Sequence, residues 1–220
     1  MIYDESVDTT AIARLLRPFV ELEEAQLASI STYIDLLLKW NARVNLTAVR
    51  NPEEIVTRHF GESLFAVRTL MPSAFERPVS AGQGGQQTVI DLGSGAGFPG
   101  LPFAMFVPAA QVMLIESNNK KAAFLNEVIS ALGVKNAKVF SQRAEEYPGR
   151  ADLVTMRAVE QFEKALAIAV GLVAKQGRVA LMIGISQMIL ARSFAPDVDW
   201  EESVTVPGGH SRVLLVGTRK

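Results

Sequence analysis

The sequence predicts an α/β protein: a mostly parallel, doubly wound sheet with an N-terminal helical extension and a C-terminal antiparallel hairpin. Three observations predict it. The first third of the chain carries apolar residues at helical spacing and no strand-like run. From Thr88 onward, short continuous apolar runs alternate with helical stretches, the pattern of parallel strands covered on both faces. Between the two lies a polar, glycine-rich stretch with no period. The chain therefore divides into a helical extension (1–76), a flexible loop (77–87) and the sheet domain (88–220).

In order along the chain, a short helix is expected from about Thr9 until Pro18 interrupts it. Leu27, Ile30, Ile34 and Leu37 then mark one apolar stripe over 23–40. Asn51-Pro52-Glu53-Glu54 combines an N-cap, a first-turn proline and first-turn carboxylates, so a helix starts there. It is expected to run towards Leu70, to bury Ile55, Phe60, Leu64 and Val67, and to carry a weak point at Gly61, since glycine costs up to ~1 kcal/mol relative to alanine in a helix. In the sheet domain, strands are expected at Thr88–Leu92, Gln111–Glu116, Ala137–Phe140, Asp152–Thr155 and Arg178–Ile183. Helices fall at Leu101–Val107, Asn119–Leu132 and Gln161–Ala174, with a further one at Ser186–Phe194. Glu202–Val206 and Arg212–Gly217, around Pro207-Gly208-Gly209, form a hairpin closing one edge of the sheet.

Composition narrows the chemistry. Twenty-two basic residues face 23 acidic ones, a net charge of −1, so no global positive field attracts nucleic acid. Any such contact must come from a local cluster. There is no cysteine, which removes disulfides, thiolate metal sites and cysteine nucleophiles. Two histidines, His59 and His210, leave little material for zinc, and no metal is expected. No apolar run is long enough to span a bilayer and the acidic opening lacks a signal-peptide order, so a soluble cytoplasmic protein is expected.

The most informative segment is Val89-Ile90-Asp91-Leu92-Gly93-Ser94-Gly95-Ala96-Gly97-Phe98-Pro99-Gly100. A buried strand ends at an acid, enters a glycine-dense turn and leads into a helix. Glycines at alternate positions let the backbone approach a ligand and adopt positive φ. The helix behind them is expected to offer free N–H groups to an anion. Such a loop lies at the carboxyl ends of the strands, where ligands of open α/β sheets bind. Gly95 through Gly100 formally satisfies the G-x-G-x-x-G dinucleotide pattern, whereas the run from Asp91 through Gly97 favours S-adenosyl-L-methionine. Glu116, closing the next strand, can accept both ribose hydroxyls of either cofactor. The turn after the third strand places Ala144 N–H and Glu145 where they could hold a base by its polar edge, although first-turn acids alone would account for that pattern.

Several separated motifs extend this reading. Lys39-Trp40-Asn41-Ala42-Arg43-Val44-Asn45-Leu46-Thr47 and Arg58-His59-Phe60-Gly61-Glu62-Ser63 precede the glycine loop. Glu116-Ser117, Lys120 through Leu125, Arg143-Ala144-Glu145-Glu146 and Met156-Arg157-Ala158-Val159 follow it. With these motifs, from about Leu36 to the C-terminus, the chain resembles the bacterial ribosomal RNA small-subunit methyltransferase G family, also called glucose-inhibited division protein B. It departs from the family pattern at Gly61, Glu62, Met156 and Ile183, the last standing where the family usually has lysine.

The resemblance implies a class I, Rossmann-like methyltransferase fold and methylation of guanine N7 in 16S ribosomal RNA. It implies donor contacts by Gly93, Phe98, Ala144, Glu145 and Arg157, with Glu116 in the ribose-acid place and Asp91, Gly95 and Gly97 completing the loop. It also implies that Arg143 and Arg157 face RNA. The partner would be 16S ribosomal RNA within the small subunit or its precursor, and the chain would act as a monomer. Guanine N7 has an in-plane lone pair and no proton to lose, so no general base is expected and alignment supplies most of the acceleration. Arg157 is expected to line the cleft as a positioning group between donor and substrate, against the alternative of a surface arginine. His59 and Glu62, at i and i+3, are read as structural rather than catalytic, and Trp40 and Asn45 as packing and turn-fixing residues. A methyltransferase of the same fold acting on a small molecule or protein, and a non-catalytic donor-binding module, are the competing readings.

Overall fold

The computed structural model describes residues 7–76, 87–209 and 211–220. Most of the expected loop, 77–86, and His210 lie outside the described residues.

Helix α1 (Thr9–Leu16) starts at Asp8, whose carboxylate accepts from the Ala11 amide at 2.7 Å. Helix α2 (Glu24–Asn41) buries the four stripe residues and, on the same face, Tyr33. The turn after it is fixed by Asn41 rather than by Asn45. The Asn41 Oδ1 accepts from the Leu46 and Thr47 amides and its Nδ2 donates to the Thr47 carbonyl.

Asn51 caps the next helix through the Glu54 amide at 3.0 Å, as the sequence predicts. The helix then changes pitch, from α3 (Pro52–Glu54) through a π-helical segment (Ile55–Gly61) to α4 (Glu62–Leu70). Ile55, Phe60, Leu64 and Val67 are all buried. Gly61 has a packing reason: a Cβ there would sit 2.6 Å from the Phe19 ring. A short helix α5 (Ser73–Glu76) follows.

Among the described residues the sheet has eight strands: β1 (Thr88–Leu92), β2 (Gln111–Ile115), β3 (Ala137–Phe140), β4 (Ala151–Arg157), β5 (Val173–Gly184), β6 (Val198–Trp200), β7 (Val204–Thr205) and β8 (Arg212–Arg219). Their order is β3-β2-β1-β4-β5-β8-β6, with β7 also paired to β8. The pairings from β3 to β5 are parallel and those of β8 are antiparallel. The helices between strands are α6 (Gly100–Phe106), α7 (Asn119–Ala131), α8 (Phe162–Leu172) and α9 (Ile185–Phe194).

One strand expectation is corrected. Strand β5 begins at Val173, directly after α8, with Gln176 at φ 62. Its irregular first half pairs Val173 with Ala151, so tertiary pairing overrides the helical pattern at Val173 and Ala174. The C-terminal hairpin forms as expected, β7 on β8 at one edge of the sheet. Strand β8 lies between β5 and β6, and the three-residue β6, too short to stand out as a period, shares its outer side.

Period-two alternation sorts the strand residues onto two faces. Val89, Val112, Leu114, Leu153, Ala180, Met182, Leu214 and Val216 join one core with the N-terminal helices, α6 and α7. Ile90, Leu92, Ile115, Val154, Met156, Val179, Leu181 and Ile183 join the other, under α8 and α9. The family departures Met156 and Ile183 are both absorbed in this second core. The direction of winding reverses between β1 and β4, which opens a crevice at the carboxyl ends of these strands.

Candidate functional site

A cleft of ≈ 350 Å³ lies at this switch point, on the α8 side of the sheet. Leu92 and Gly93 after β1, Ile115, Glu116 and Ser117 after β2, and Gln142, Arg143, Ala144 and Glu145 after β3 form its floor and one wall. Val159, Glu160 and Gln161 after β4, with Lys164, Ala165 and Ile168 of α8, form the other.

The glycine loop adopts the backbone the sequence predicts: Gly93, Gly95 and Gly97 have φ of 69, 56 and 91 degrees. A Cβ on Gly93 would stand 3.2 Å from Val159 Cγ1, so this position needs glycine for space as well. Four of the loop amides are already engaged. Gly93 N and Ser94 N both donate to the Ile115 carbonyl at 3.0 Å, and Gly97 N donates to Ser94 O at 2.6 Å. Gly95 N donates to Glu116 Oε2 at 2.9 Å, while Glu116 Oε1 accepts from Asn118 N at 2.7 Å. Glu116 therefore supports the loop from the cleft wall, and each oxygen keeps a lone pair for a further donor.

Of the sequence-predicted residues, Gly93, Glu116, Arg143, Ala144 and Glu145 line the cleft. Glu145 pairs with Lys164 across it at 3.2 Å, both side chains well exposed. Asp91, Gly95, Gly97, Phe98 and Arg157 do not line it, and each has a physical reason.

Asp91 points to the opposite face of β1, where Thr155 Oγ1 donates to its Oδ1 at 2.8 Å. Burial pushes its carboxyl up to about 6, against the hydrogen bonds from Thr155, Ser94 and the Gly100 amide. The carboxylate thus occupies the α6 N-terminus that the sequence reading reserved for a ligand. Gly95 turns behind Glu116. Gly97 abuts the Tyr33 hydroxyl, and Phe98 is stacked between Tyr33 (5.2 Å, 8°) and His59 (5.0 Å, 22°).

Arg157, the last residue of β4, points to the same face as Asp91 and Thr155. It is neither in the cleft nor on the surface, but is held by the π-helical segment. Its Nη2 donates to the Arg58 carbonyl at 2.6 Å and to Glu62 Oε2 at 3.1 Å, and approaches His59 Nδ1 at 3.3 Å. Arg212, at the start of β8, brings Nη2 to 2.8 Å from Glu62 Oε1. A donor facing Nδ1 places the ring proton of His59 on Nε2, which donates to Thr47 Oγ1 at 2.8 Å. Burial, with Arg157, Arg58 and Arg212 nearby, lowers His59 to about 3, so the ring is neutral. Burial raises the Glu62 carboxyl, and the three arginines oppose that rise. His59 and Glu62 therefore act as structural hydrogen-bond and ion-pair partners, as expected.

Sequence reasoning missed several residues. Gln142, Gln161 and Lys164 line the cleft without any motif to mark them. Ala158 and Gln161 hold positive φ in the β4–α8 loop, strain that side-chain type does not announce. Arg58 carries no assigned role in its motif, and Tyr33 is not among the stripe residues Leu27, Ile30, Ile34 and Leu37. Among the described residues there is no cluster of ligands fit for a metal ion and no helix long and apolar enough to cross a membrane.

Comparison with known proteins agrees with this fold. Residues 26–209 match the protein family described as rRNA small subunit methyltransferase G. The ribosomal RNA small subunit methyltransferase G of Xanthomonas euvesicatoria pv. vesicatoria is 36% identical over 203 residues, covering 90% of this chain and 89% of that protein. The Xylella fastidiosa (strain M23) protein of the same name is 36% identical over 181 residues, 81% of this chain and 79% of its own. Among solved structures, magnesium protoporphyrin IX methyltransferase from Synechocystis PCC 6803 superposes with TM-score 0.60 at 15% identity, covering 86% of this chain and 95% of that one. A SAM-dependent methyltransferase from Aquifex aeolicus gives 0.57 at 18% identity, covering 80% and 97%. At these identities the structural likeness speaks for the fold, a class I methyltransferase sheet.

Proposed function

Because this chain belongs to the rRNA small subunit methyltransferase G family, we propose that it transfers a methyl group from S-adenosyl-L-methionine to guanine N7 of 16S ribosomal RNA in the small subunit or its precursor. The observation that carries the reading is the cleft at the β1/β4 switch point within the family-matched region.

The residues present fit the donor. Leu92, Ile115, Ala165 and Ile168 offer an apolar bed for a purine, with Ala144 and Glu145 at its polar edge. Glu116 stands where two ribose hydroxyls can donate to its carboxylate, and Gly93 leaves room where a Cβ would crowd Val159. The volume sits at the low end of the ~300–1,000 Å³ usual for ligands of this size.

When bound, the donor supplies an electrophilic sulfonium methyl. The chain's own task is then to hold donor and base in line, because N7 presents a lone pair without a proton. The neutral His59, locked between Arg157 and Thr47, is not placed to take one. Arg157 acts here as a positioning group, tying the end of β4 to the helical extension beside the cleft. The same reading assigns RNA phosphates to the positive rim. Arg143, exposed and lining the cleft, is the residue this reading places on that rim. With a net charge of −1, hold on naked RNA is weak and recognition depends on the folded, protein-bearing particle, in which the enzyme works as a cytoplasmic monomer.

Transfer of labelled methyl to undermodified 30S particles, naked RNA and total metabolites tests this. Label in 30S particles, released as 7-methylguanosine, is the expected result. Label in metabolites or protein would favour the competing substrate class. A bare hairpin bound equally tightly across a tenfold rise in salt would contradict the charge argument.

A further inference from the structure

One side chain of the N-terminal extension hydrogen-bonds to the backbone of the glycine loop. Tyr33, fully buried on α2, donates from Oη to the Ala96 carbonyl at 2.6 Å, across 63 residues of sequence. The Ala96–Gly97 peptide is planar, so its carbonyl and its N–H point in opposite directions. The Gly97 N–H donates to Ser94 O. One peptide plane is thus clamped from both ends, by Tyr33 on one side and the turn itself on the other. A Cβ on Gly97 would collide with the Tyr33 hydroxyl, and the Phe98 ring lies parallel on the Tyr33 ring. Phe60 closes the block edge-on to both rings, at 5.1 and 5.0 Å. The hydroxyl remains a donor at all working pH values, since burial and the nearby Asp91 charge hold it well above the usual tyrosine range.

We infer that Tyr33 is a positioning residue for the methyl donor, fixing from behind the glycine loop whose Gly93 end supports the amino-acid arm of the donor. The inference rests on the donor reading above. Along the strand order β3-β2-β1, the cleft presents Ala144 and Glu145, then Glu116, then Gly93. With purine at the first and ribose at the second, the arm beyond the sulfur extends over the β1 loop. Tyr33 therefore acts on the arm and not on the purine.

Two ligands separate this from a general packing role. S-Adenosylhomocysteine carries the arm, whereas 5′-methylthioadenosine keeps the purine, ribose and sulfur without it. Titration of the full chain is expected to show Tyr33→Phe weakening S-adenosylhomocysteine about tenfold, the effect of leaving a buried carbonyl unpaired. Affinity for methylthioadenosine should change by less than about twofold. Ile12→Val, buried in the same extension but remote from the loop, lowers the melting temperature and should move neither affinity. Equal loss for both ligands, or no loss for either, overturns the inference. A wild-type chain that binds neither ligand overturns the donor reading and the inference with it. If Tyr33→Phe does not fold, Phe60→Leu loosens the same block, and an unchanged affinity for S-adenosylhomocysteine then overturns the inference.

Discussion

Neighbouring residues of the same strands face two different environments. Leu92 and Met156 look towards α8, while Asp91 and Arg157, one position away, look towards the N-terminal extension. On the α8 side the wall is an open cleft whose one ion pair, Glu145–Lys164, is largely hydrated. On the other side the charges are sealed, and Asp91, His59 and Glu62 all have displaced protonation equilibria because burial penalises charge. The difference teaches a division of labour: one face leaves an open cleft, the donor site proposed above, and the other holds the strand ends and glycine loop that shape it.

The largest effect that could break this comparison is on the sealed face. Glu62→Ala leaves Arg157 and Arg212 without their shared carboxylate, and urea unfolding should show a loss of about 3–5 kcal/mol. A loss below about 1 kcal/mol would mean that the cluster is solvated after all. On the open face, Gly93→Val forces a branched side chain into φ 69 and against Val159. Calorimetry should show donor affinity falling more than ~100-fold with the fold intact.

Protonation sharpens the comparison further. The native Asp91 binds its proton more tightly than the unfolded chain does, so this group costs stability above about pH 6 and nothing below about pH 4. His59 works in the opposite direction. Between about pH 6.5 and 3 the unfolded chain takes up a proton that the native ring refuses, so stability falls as pH drops. Asp91→Asn should therefore gain on the wild type by about 2 kcal/mol between pH 4 and pH 7, read from paired denaturation curves. A constant difference between the two curves would place Asp91 in water. The smallest effect belongs to Lys164→Ala: no resolvable change in melting temperature, with a change of a few-fold at most in donor affinity, because the pair it breaks is exposed.

Much of this was legible beforehand. The order of helices and parallel strands followed from apolar period. The left-handed glycines and the Asn51 cap followed from residues whose preference is local. Gly93, Glu116, Arg143, Ala144 and Glu145 converged because each lies in the turn after a parallel strand, so topology gathers them. What was not legible depended on which face a side chain takes. Period two sends Asp91 and Arg157 away from the cleft, and the partners that hold them, Thr155, Glu62 and the Arg58 carbonyl, are defined only by tertiary packing. Likewise Tyr33 stands beside the apolar stripe with nothing in the sequence to mark it until its hydroxyl is seen on Ala96. The π-helical segment and the positive φ of Ala158 and Gln161 leave no mark in residue type at all.

The central claim is that the crevice on the α8 side of the β1/β4 switch point holds the methyl donor. A crystal structure of the protein grown with S-adenosylhomocysteine tests it directly. The expected density has the purine beside Ala144 and Glu145, the ribose hydroxyls on Glu116 and the amino-acid arm over Gly93, with Arg157 still bound to Glu62. Density on the far side of the sheet, or none in the crevice at saturating ligand, would contradict it.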